Sequence, residues 1–277
     1  MKTKIALICM ACLVFVVWWL VTSLPANRFE IWFFDVGQGD SIYIHTPGDR
    51  RILVDGGPSN KVLYELDRRI PVWDRRIDVI IATHLHADHI SGLVEVLKRY
   101  EVGTVVVNPS DFTNAIVEAL MAEIKGQSVL VKSMKAGDRI VLGTVDLKAI
   151  WPESGYQNED INTSAIELLV THDGHKCLLT SDVEFGNDFG ERLAFAAGDI
   201  DILKVPHQGS KGAVTDSTLE VLKPEFAVIM VGENKYGHPA KETVSMLEKY
   251  RSGIYRTDTS GSIGFVDTNG KLSTVIK

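Results

Sequence analysis

The 277-residue chain reads as an α+β domain, with two β-sheets packed together and helices outside, behind an N-terminal transmembrane or signal helix. Three observations predict this. Short β-branched and aromatic runs, separated by Gly-rich turns, crowd the stretch just after residue 28. From residue 60 onwards, stretches with helical spacing alternate with apolar strands. Ahead of both lies an unbroken apolar run over 5–21.

Composition supports one large domain: 45% of residues are apolar and 23% charged. Residues 1–28 carry Lys2, Lys4 and Arg28 and no acid, and 29–277 form the domain. The domain therefore holds 26 basic against 36 acidic residues, a balance of −10 within a chain total of −7. Such a surface is a poor sequence-blind binder of nucleic acid, which needs Lys and Arg to displace counterions. Bound metal ions or a local basic groove would reverse the sign at a site. Cys9 and Cys12 lie in the N-terminal run and Cys177 stands alone, so the domain has no internal disulfide and sets no redox compartment.

In the first segment, Lys2 and Lys4 precede the apolar run with Trp18 and Trp19, and no charge follows until Arg28. Its length suits a bilayer span. The basic flank predicts a cytoplasmic N-terminus and an exported domain. Leu24-Pro25-Ala26 offers a poor cleavage site, which favours a single-helix anchor in the cytoplasmic membrane over a secreted, cleaved product. No stable protein partner is expected.

Strands follow over 29–35, 40–45 and 51–55, with turns at Gly37-Gln38-Gly39 and Pro47-Gly48-Asp49. His45, alone on its strand, reads as a surface histidine. A helix over 60–70 stops before Pro71, and the apolar strand 77–82 leads into Thr83-His84-Leu85-His86-Ala87-Asp88-His89. This stretch puts three of eight histidines and a carboxylate on a strand-to-helix loop. Imidazole nitrogen and carboxylate oxygen suit zinc, manganese or iron. On an extended segment His84 and His86 face one side. Asp88 and His89 turn into the helix start and face a second point, which suits two metals.

That helix runs to Tyr100, then come a strand over 104–107 and a helix over 111–126 capped by Asp111 or Thr113. Strands follow over 128–131, 139–142 and 145–151. The polar stretch 157–164 is a loop in which Asn162 either donates to a substrate oxygen or forms an Asx turn. A hairpin over 165–171 and 176–179 turns at Asp173-Gly174, with His172 and His175 as exposed loop histidines outside the metal set. Asp182 ends the second strand, where a carboxylate can bridge two cations. A helix covers 185–197, and the strand 200–205 delivers His207, the best distant ligand. A short helix over 218–222, a strand over 226–231, a loop over 232–239, a helix over 240–250 and strands over 254–256, 262–266 and 272–276 complete the chain.

The run His84-Leu85-His86-Ala87-Asp88-His89 after a strand resembles the metallo-β-lactamase superfamily. Asp35-Val36-Gly37-Gln38-Gly39-Asp40-Ser41, Leu53-Val54-Asp55-Gly56-Gly57, Leu179-Thr180-Ser181-Asp182, Lys204-Val205-Pro206-His207-Gln208-Gly209-Ser210 and Asn234-Lys235-Tyr236-Gly237-His238-Pro239 resemble, in the same order, the hydrolase region of ComEC-type DNA-uptake proteins. The resemblance implies a four-layer αβ/βα sandwich. It places Asp55 and Asp40 behind the metal ligands. It brings Asn162, Ser164 and Tyr236 to the substrate and makes His238 a general acid for the leaving oxygen. The chain departs from the family at Ser181, where Gly is usual, at Gln208, where a second His is common, and in offering no good candidate, His172 and His175 included, for the further metal His that many members supply before Asp182.

Together these readings give one or two divalent ions, zinc or manganese. His84, His86 and a shared Asp182 hold one; Asp88, His89, His207 and Asp182 hold the other. A water between them would ionise near neutral pH and attack, with Asp88 and His238 as catalytic groups. The same ions would neutralise charge developing on a phosphoryl oxygen. The expected reaction is phosphodiester hydrolysis, on DNA or a related substrate, outside the membrane. Two alternatives stay open: a cell-envelope choline-phosphate or teichoic-acid phosphodiesterase, and a non-catalytic anchored module with a degenerate metal site. β-Lactam hydrolysis fits poorly, and a single spanning segment cannot form a DNA channel.

Overall fold

The structure is a computed structural model that describes residues 2–23, 28–156, 160–186, 190–268 and 270–276. A 22-residue helix, α1 (Lys2–Ser23), comes first. At 1.5 Å per residue it is about 33 Å long. Its described apolar side chains, Leu13 and Phe15 among them, are exposed. The side chains of residues 2, 3, 6 and 19–23 lie outside the description, as does Leu24-Pro25-Ala26. Taken over the described residues, no helix is long and apolar enough to cross a membrane.

The first half of the domain contains β1 (Glu30–Phe33), β2 (Ile42–Thr46), β3 (Arg50–Val54), α2 (Lys61–Asp67), β4 (Arg76–Ala82), α3 (Ala87–Arg99), β5 (Glu101–Val107), α4 (Ala115–Gly126) and β6 (Leu130–Lys132). The second contains β7 (Arg139–Leu142), β8 (Val145–Trp151), β9 (Glu167–His172), β10 (His175–Leu179), α5 (Gly190–Ala197), β11 (Ile202–Lys204), α6 (Asp216–Leu222), β12 (Phe226–Ile229), α7 (Lys241–Lys249) and β13 (Gly253–Arg256). A one-turn helix, α8 (Thr257–Ser260), precedes β14 (Ile263–Asp267) and β15 (Leu272–Ile276).

Two sheets result. One runs β15-β14-β1-β2-β3-β4-β5-β6 and the other β13-β12-β11-β10-β9-β8-β7. The chain closes on itself, because β14 returns to pair antiparallel with β1. Side chains alternate across each strand. On β4, Val79 and Ile81 enter the core between the sheets, where they join Phe33, Ile52, Leu168, Leu179 and Val228. Ile80 and Ala82 face the other way, into a layer with Leu66, Leu93, Leu97 and Leu120 of α2, α3 and α4. Leu178, Leu203 and Ala227 likewise face Leu193, Leu219 and Leu247 of α5, α6 and α7. Each such leucine is worth about 1.5–3 kcal/mol on burial. The result is the expected order of helices, sheet, sheet, helices.

The parallel pairs β3–β4 and β10–β11 end at residues 54, 82, 179 and 204. Their following loops bring the motifs together. The start of α3 is pressed onto the loop after β3: Gly56 N donates to His89 O at 2.6 Å and Gly92 N to Gly57 O at 3.0 Å. A Cβ on Gly92 would stand 1.9 Å from Gly56 O, so only glycine permits this approach.

Several boundaries differ from the sequence reading. Helix α4 starts at Ala115 because Asn114 Oδ1 accepts from Ile116 N and Val117 N, taking the cap from Asp111 and Thr113. The helix expected from 185 starts at Gly190. Phe185 N and Gly186 N bond instead to Ala213 O and Gly212 O, which holds that segment off a helical path. His45 is buried, with Nε2 3.0 Å from Asp49 Oδ1.

Candidate metal centre

Asp55, at the end of β3 with φ +58°, fixes the loop after β4. Its Oδ1 accepts from Thr83 N at 2.8 Å, and its Oδ2 accepts from Thr83 Oγ1 at 2.7 Å. The same Oδ2 lies 2.8 Å from His89 Nδ1. That contact occupies one ring nitrogen and turns Nε2 inward. Fully buried His89 Nε2 makes no hydrogen bond, although Asp182 Oδ2 is 3.2 Å and Asp88 Oδ2 3.8 Å away.

The same device recurs at the other imidazoles. His84 Nδ1 lies 3.2 Å from Thr83 Oγ1 and 3.3 Å from Ser181 Oγ, while its Nε2 is 3.2 Å from His86 Nδ1. His207 Nδ1 lies 2.9 Å from Glu184 Oε1, which also accepts from Ser210 Oγ, and His207 Nε2 is 3.9 Å from Asp182 Oδ2. Ser181 has φ +48°, a conformation in which glycine is unstrained. Its hydroxyl offsets the strain by bridging Thr83 and His84, at 2.7 Å to Thr83 Oγ1. One ligand atom each from His84, His89 and Asp182 lies within 4.8 Å of the others. The structure thus brings all six sequence-assigned ligands together, with His84, His89 and Asp182 buried and His86, Asp88 and His207 part-exposed around them.

Charge balance explains what the cluster wants. Burial alone would depress the His89 imidazole, but Asp182 and Asp55 outweigh it and hold the pKa well above the usual value. Burial would raise Asp182, but His89, Lys204 and His84 pull it well below. His84 is depressed by burial and then by His89. His207 is raised by its bond to Glu184. A proton on His89 stands where a cation would neutralise the buried carboxylate. Three imidazoles fixed through Nδ1, a central carboxylate and an orphaned buried nitrogen fit one or two divalent ions.

Lys204 was not singled out from sequence. It is fully buried, its Nζ forms an ion pair with Asp40, donates to Ser181 O at 2.6 Å, and lies 3.8 Å from Asp182 Oδ1. Burial lifts the Asp40 carboxyl to about 6 against the pull of Lys204. Gln208 Nε2 donates to Asp182 Oδ1 and Oδ2 at 3.1 and 3.2 Å, and Gln38 in turn donates to Gln208 Oε1. A lone lysine inside an apolar strand was the available signal for Lys204.

The substrate side is open. A cavity of about 530 Å³ is lined by Thr83, His84, Leu85, Phe112, Tyr156 and Ser164. Ser164 Oγ and Asn162 Oδ1 are buried and have no hydrogen-bond partner among the described residues. The Asx turn here belongs to Asp160, whose Oδ1 accepts from Asn162 N at 3.0 Å. His238 stacks edge-on to His207 at 5.6 Å, with Nδ1 buried and unpaired. Tyr236 is exposed, its ring 5.8 Å from that of His238. Residues 157–159 lie outside the described residues. His172 is buried rather than exposed, and it ends β9 far from this centre.

The family model of the metallo-beta-lactamase superfamily matches residues 34–233. The chain is 26% identical to ComE operon protein 3 of Bacillus subtilis (strain 168) over 258 residues, covering 87% of this chain and 33% of that protein. It is also 26% identical to Recombination protein 2 of Haemophilus influenzae, over 88% of this chain and 29% of that protein. Competence protein ComA of Neisseria gonorrhoeae is 26% identical over 88% of this chain and 33% of its own length. The chain thus spans about a third of these relatives. Among solved structures, the metallo-beta-lactamase fold protein YhfI of Bacillus subtilis superposes with a TM-score of 0.60 at 11% identity, over 87% of this chain and all of that one. CmlA, a diiron beta-hydroxylase of Streptomyces venezuelae, gives 0.58 at 15% identity, over 91% and 55%. The fold is common to all three, and with the family model spanning well over half of its length, the chain belongs to the metallo-beta-lactamase superfamily.

Proposed function

We propose that the chain is a metal-dependent phosphodiesterase acting on DNA or a related phosphodiester outside the cytoplasmic membrane, tethered there by α1. The observation that carries this is the position of Asp182 Oδ2, 3.2 Å from His89 Nε2 and 3.9 Å from His207 Nε2, beneath the His84–His86 pair. His84, His86 and Asp182 would hold one ion, and Asp88, His89, His207 and Asp182 another. Bound there, zinc or manganese supplies Lewis acidity and lowers the pKa of water towards neutrality.

The chain's own groups do the rest. Asp88, part-exposed beside His89, orients the attacking water and accepts its proton. Ser164 lines the substrate cavity, and Asn162 sits on the same one-turn segment beside it. His238 faces the leaving oxygen. Burial, then His207, keeps its imidazole below the usual pKa, and an arriving phosphate anion would raise it again. Relatives named for competence and recombination support a nucleic-acid substrate. The exposed apolar face of α1 supports tethering.

One observation favours a second reading, a non-catalytic anchored module: Gln208 occupies lone pairs of Asp182 that a metal would use. The full chain, loaded with manganese or zinc, should be tested against single-stranded DNA, choline-phosphate esters and β-lactams. DNA cleavage that disappears in His86→Ala is the expected result. Metal bound without turnover of any phosphodiester rejects the enzyme, and preference for choline-phosphate esters moves the substrate to the cell envelope. Protease accessibility on intact spheroplasts tests the exported location.

A further inference from the structure

We propose a second divalent-cation site, at the end of the sandwich away from the metal centre, formed by His172 Nε2 and the carboxylates of Asp173 and Asp267. Ligand atoms of these three lie within 4.8 Å of one another. Strand β9 separates the two sites. Ile166 N, just before β9, donates to Thr83 O in the metal loop, whereas His172 is its last residue. Five residues of strand put roughly 17 Å between its ends.

The histidine is built as a ligand. It is 5% exposed, and its ring stacks on Phe29 at 4.7 Å and 22°. Its Nδ1 lies 3.0 Å from Thr144 Oγ1, which fixes the ring and leaves Nε2 for a metal. Asp267 is 6% exposed, its Oδ1 held by Gly270 N at 2.8 Å, its Oδ2 without a hydrogen bond to any described residue. Asp173 sits in the exposed turn between β9 and β10.

The distances fit a shared cation. His172 Nε2 lies 3.6 Å from Asp173 Oδ2 and 3.6 Å from Asp267 Oδ2. Two ligands bound at about 2.0–2.2 Å to one tetrahedral ion stand about 3.3–3.6 Å apart. A cavity of about 400 Å³ opens over all three residues and leaves room for water in the remaining position. Arg28 also lines it, but Glu30 Oε1 holds its Nε at 2.7 Å.

One nitrogen and two oxygens suit zinc, whereas calcium and magnesium take oxygen ligands. Asp173 belongs to the second sheet and Asp267 to the first, so the ion would clamp the two sheets at this end.

The test uses the full chain, stripped of metal and dialysed against zinc. Asp173→Asn and Asp267→Asn should each bind one zinc fewer than the unsubstituted chain, with unchanged manganese-dependent turnover of bis-p-nitrophenyl phosphate. Zinc should also raise the Tm of Asp182→Ala, but not of Asp182→Ala combined with Asp173→Asn. Asp173 is exposed in a turn, so its replacement leaves folding intact. Equal zinc content in Asp173→Asn and the unsubstituted chain, or an equal Tm rise in the two Asp182→Ala proteins, overturns the site.

Discussion

Asp182 Oδ2 stands 3.2 Å from His89 Nε2, across the seam between the two sheet-and-helix halves. In the metal-free protein that pair keeps a proton on His89, because Asp182 and Asp55 outweigh the burial that would remove it. A metal entering the site must displace this proton. Metal binding at pH 7 should therefore release about one proton from His89. Calorimetry in buffers of different ionisation enthalpy reads this number. Binding without proton release would mean that His89 is neutral beforehand.

Asp55 acts through His89 and Thr83, never on substrate. Asp55→Asn keeps the shape but gives up the charge behind His89 Nδ1. Metal affinity should fall by about 10- to 100-fold, as is typical when the group behind a ligating histidine is changed. At saturating metal kcat should recover, which a direct catalytic role would not allow. Competition with a metal-binding dye measures the affinity.

Gln208 can hydrogen-bond to Asp182 but cannot move a proton near neutral pH. Gln208→His restores the residue common in the related region. Phosphodiester turnover should rise towards the ~10²-fold that a positioned proton-transfer group supplies, with a new pH dependence near the histidine range. An unchanged rate and pH profile would show that this position serves only to hold Asp182.

Much of this centre was legible in the sequence, because His84, His86, Asp88 and His89 are neighbours on one strand-to-helix loop. Asp182 and His207 became legible through the order of the motifs at strand ends. What failed was long-range. Lys204 stands out as a lone lysine in an apolar strand, but nothing local says that β11 places it against Asp40 and Ser181. The partner of His207, Glu184, comes from the turn just before the expected 185–197 helix, and nothing local in the sequence ties it to His207. His45 and His172 read as surface histidines because local alternation says nothing about a ring buried against another element. The fold's layers followed from the period-two pattern of strands such as β4, while the α4 boundary turned on one competing cap, Asn114.

Glu167 makes stability fall with pH. It is fully buried on β9 with neither carboxylate oxygen hydrogen-bonded to a described residue, and burial raises its pKa well above the usual value despite Lys204. The folded chain keeps a proton that the unfolded chain releases above 4.5. Its contribution is complete below that pH and is lost as pH rises towards the folded value. The Tm of Glu167→Gln minus that of the unsubstituted chain, measured with chelator present, should grow from about pH 5 to about pH 8. A difference that stays constant with pH would contradict this.

The central claim is that six side chains from three strand-end loops hold divalent ions that hydrolyse a phosphodiester. Initial rates on bis-p-nitrophenyl phosphate with manganese test it most directly, comparing the unsubstituted chain with His86→Ala and Asp182→Ala. The expected result is turnover that falls by at least ~10²-fold in both variants as the metal ligands are lost. Equal rates in all three proteins would contradict it.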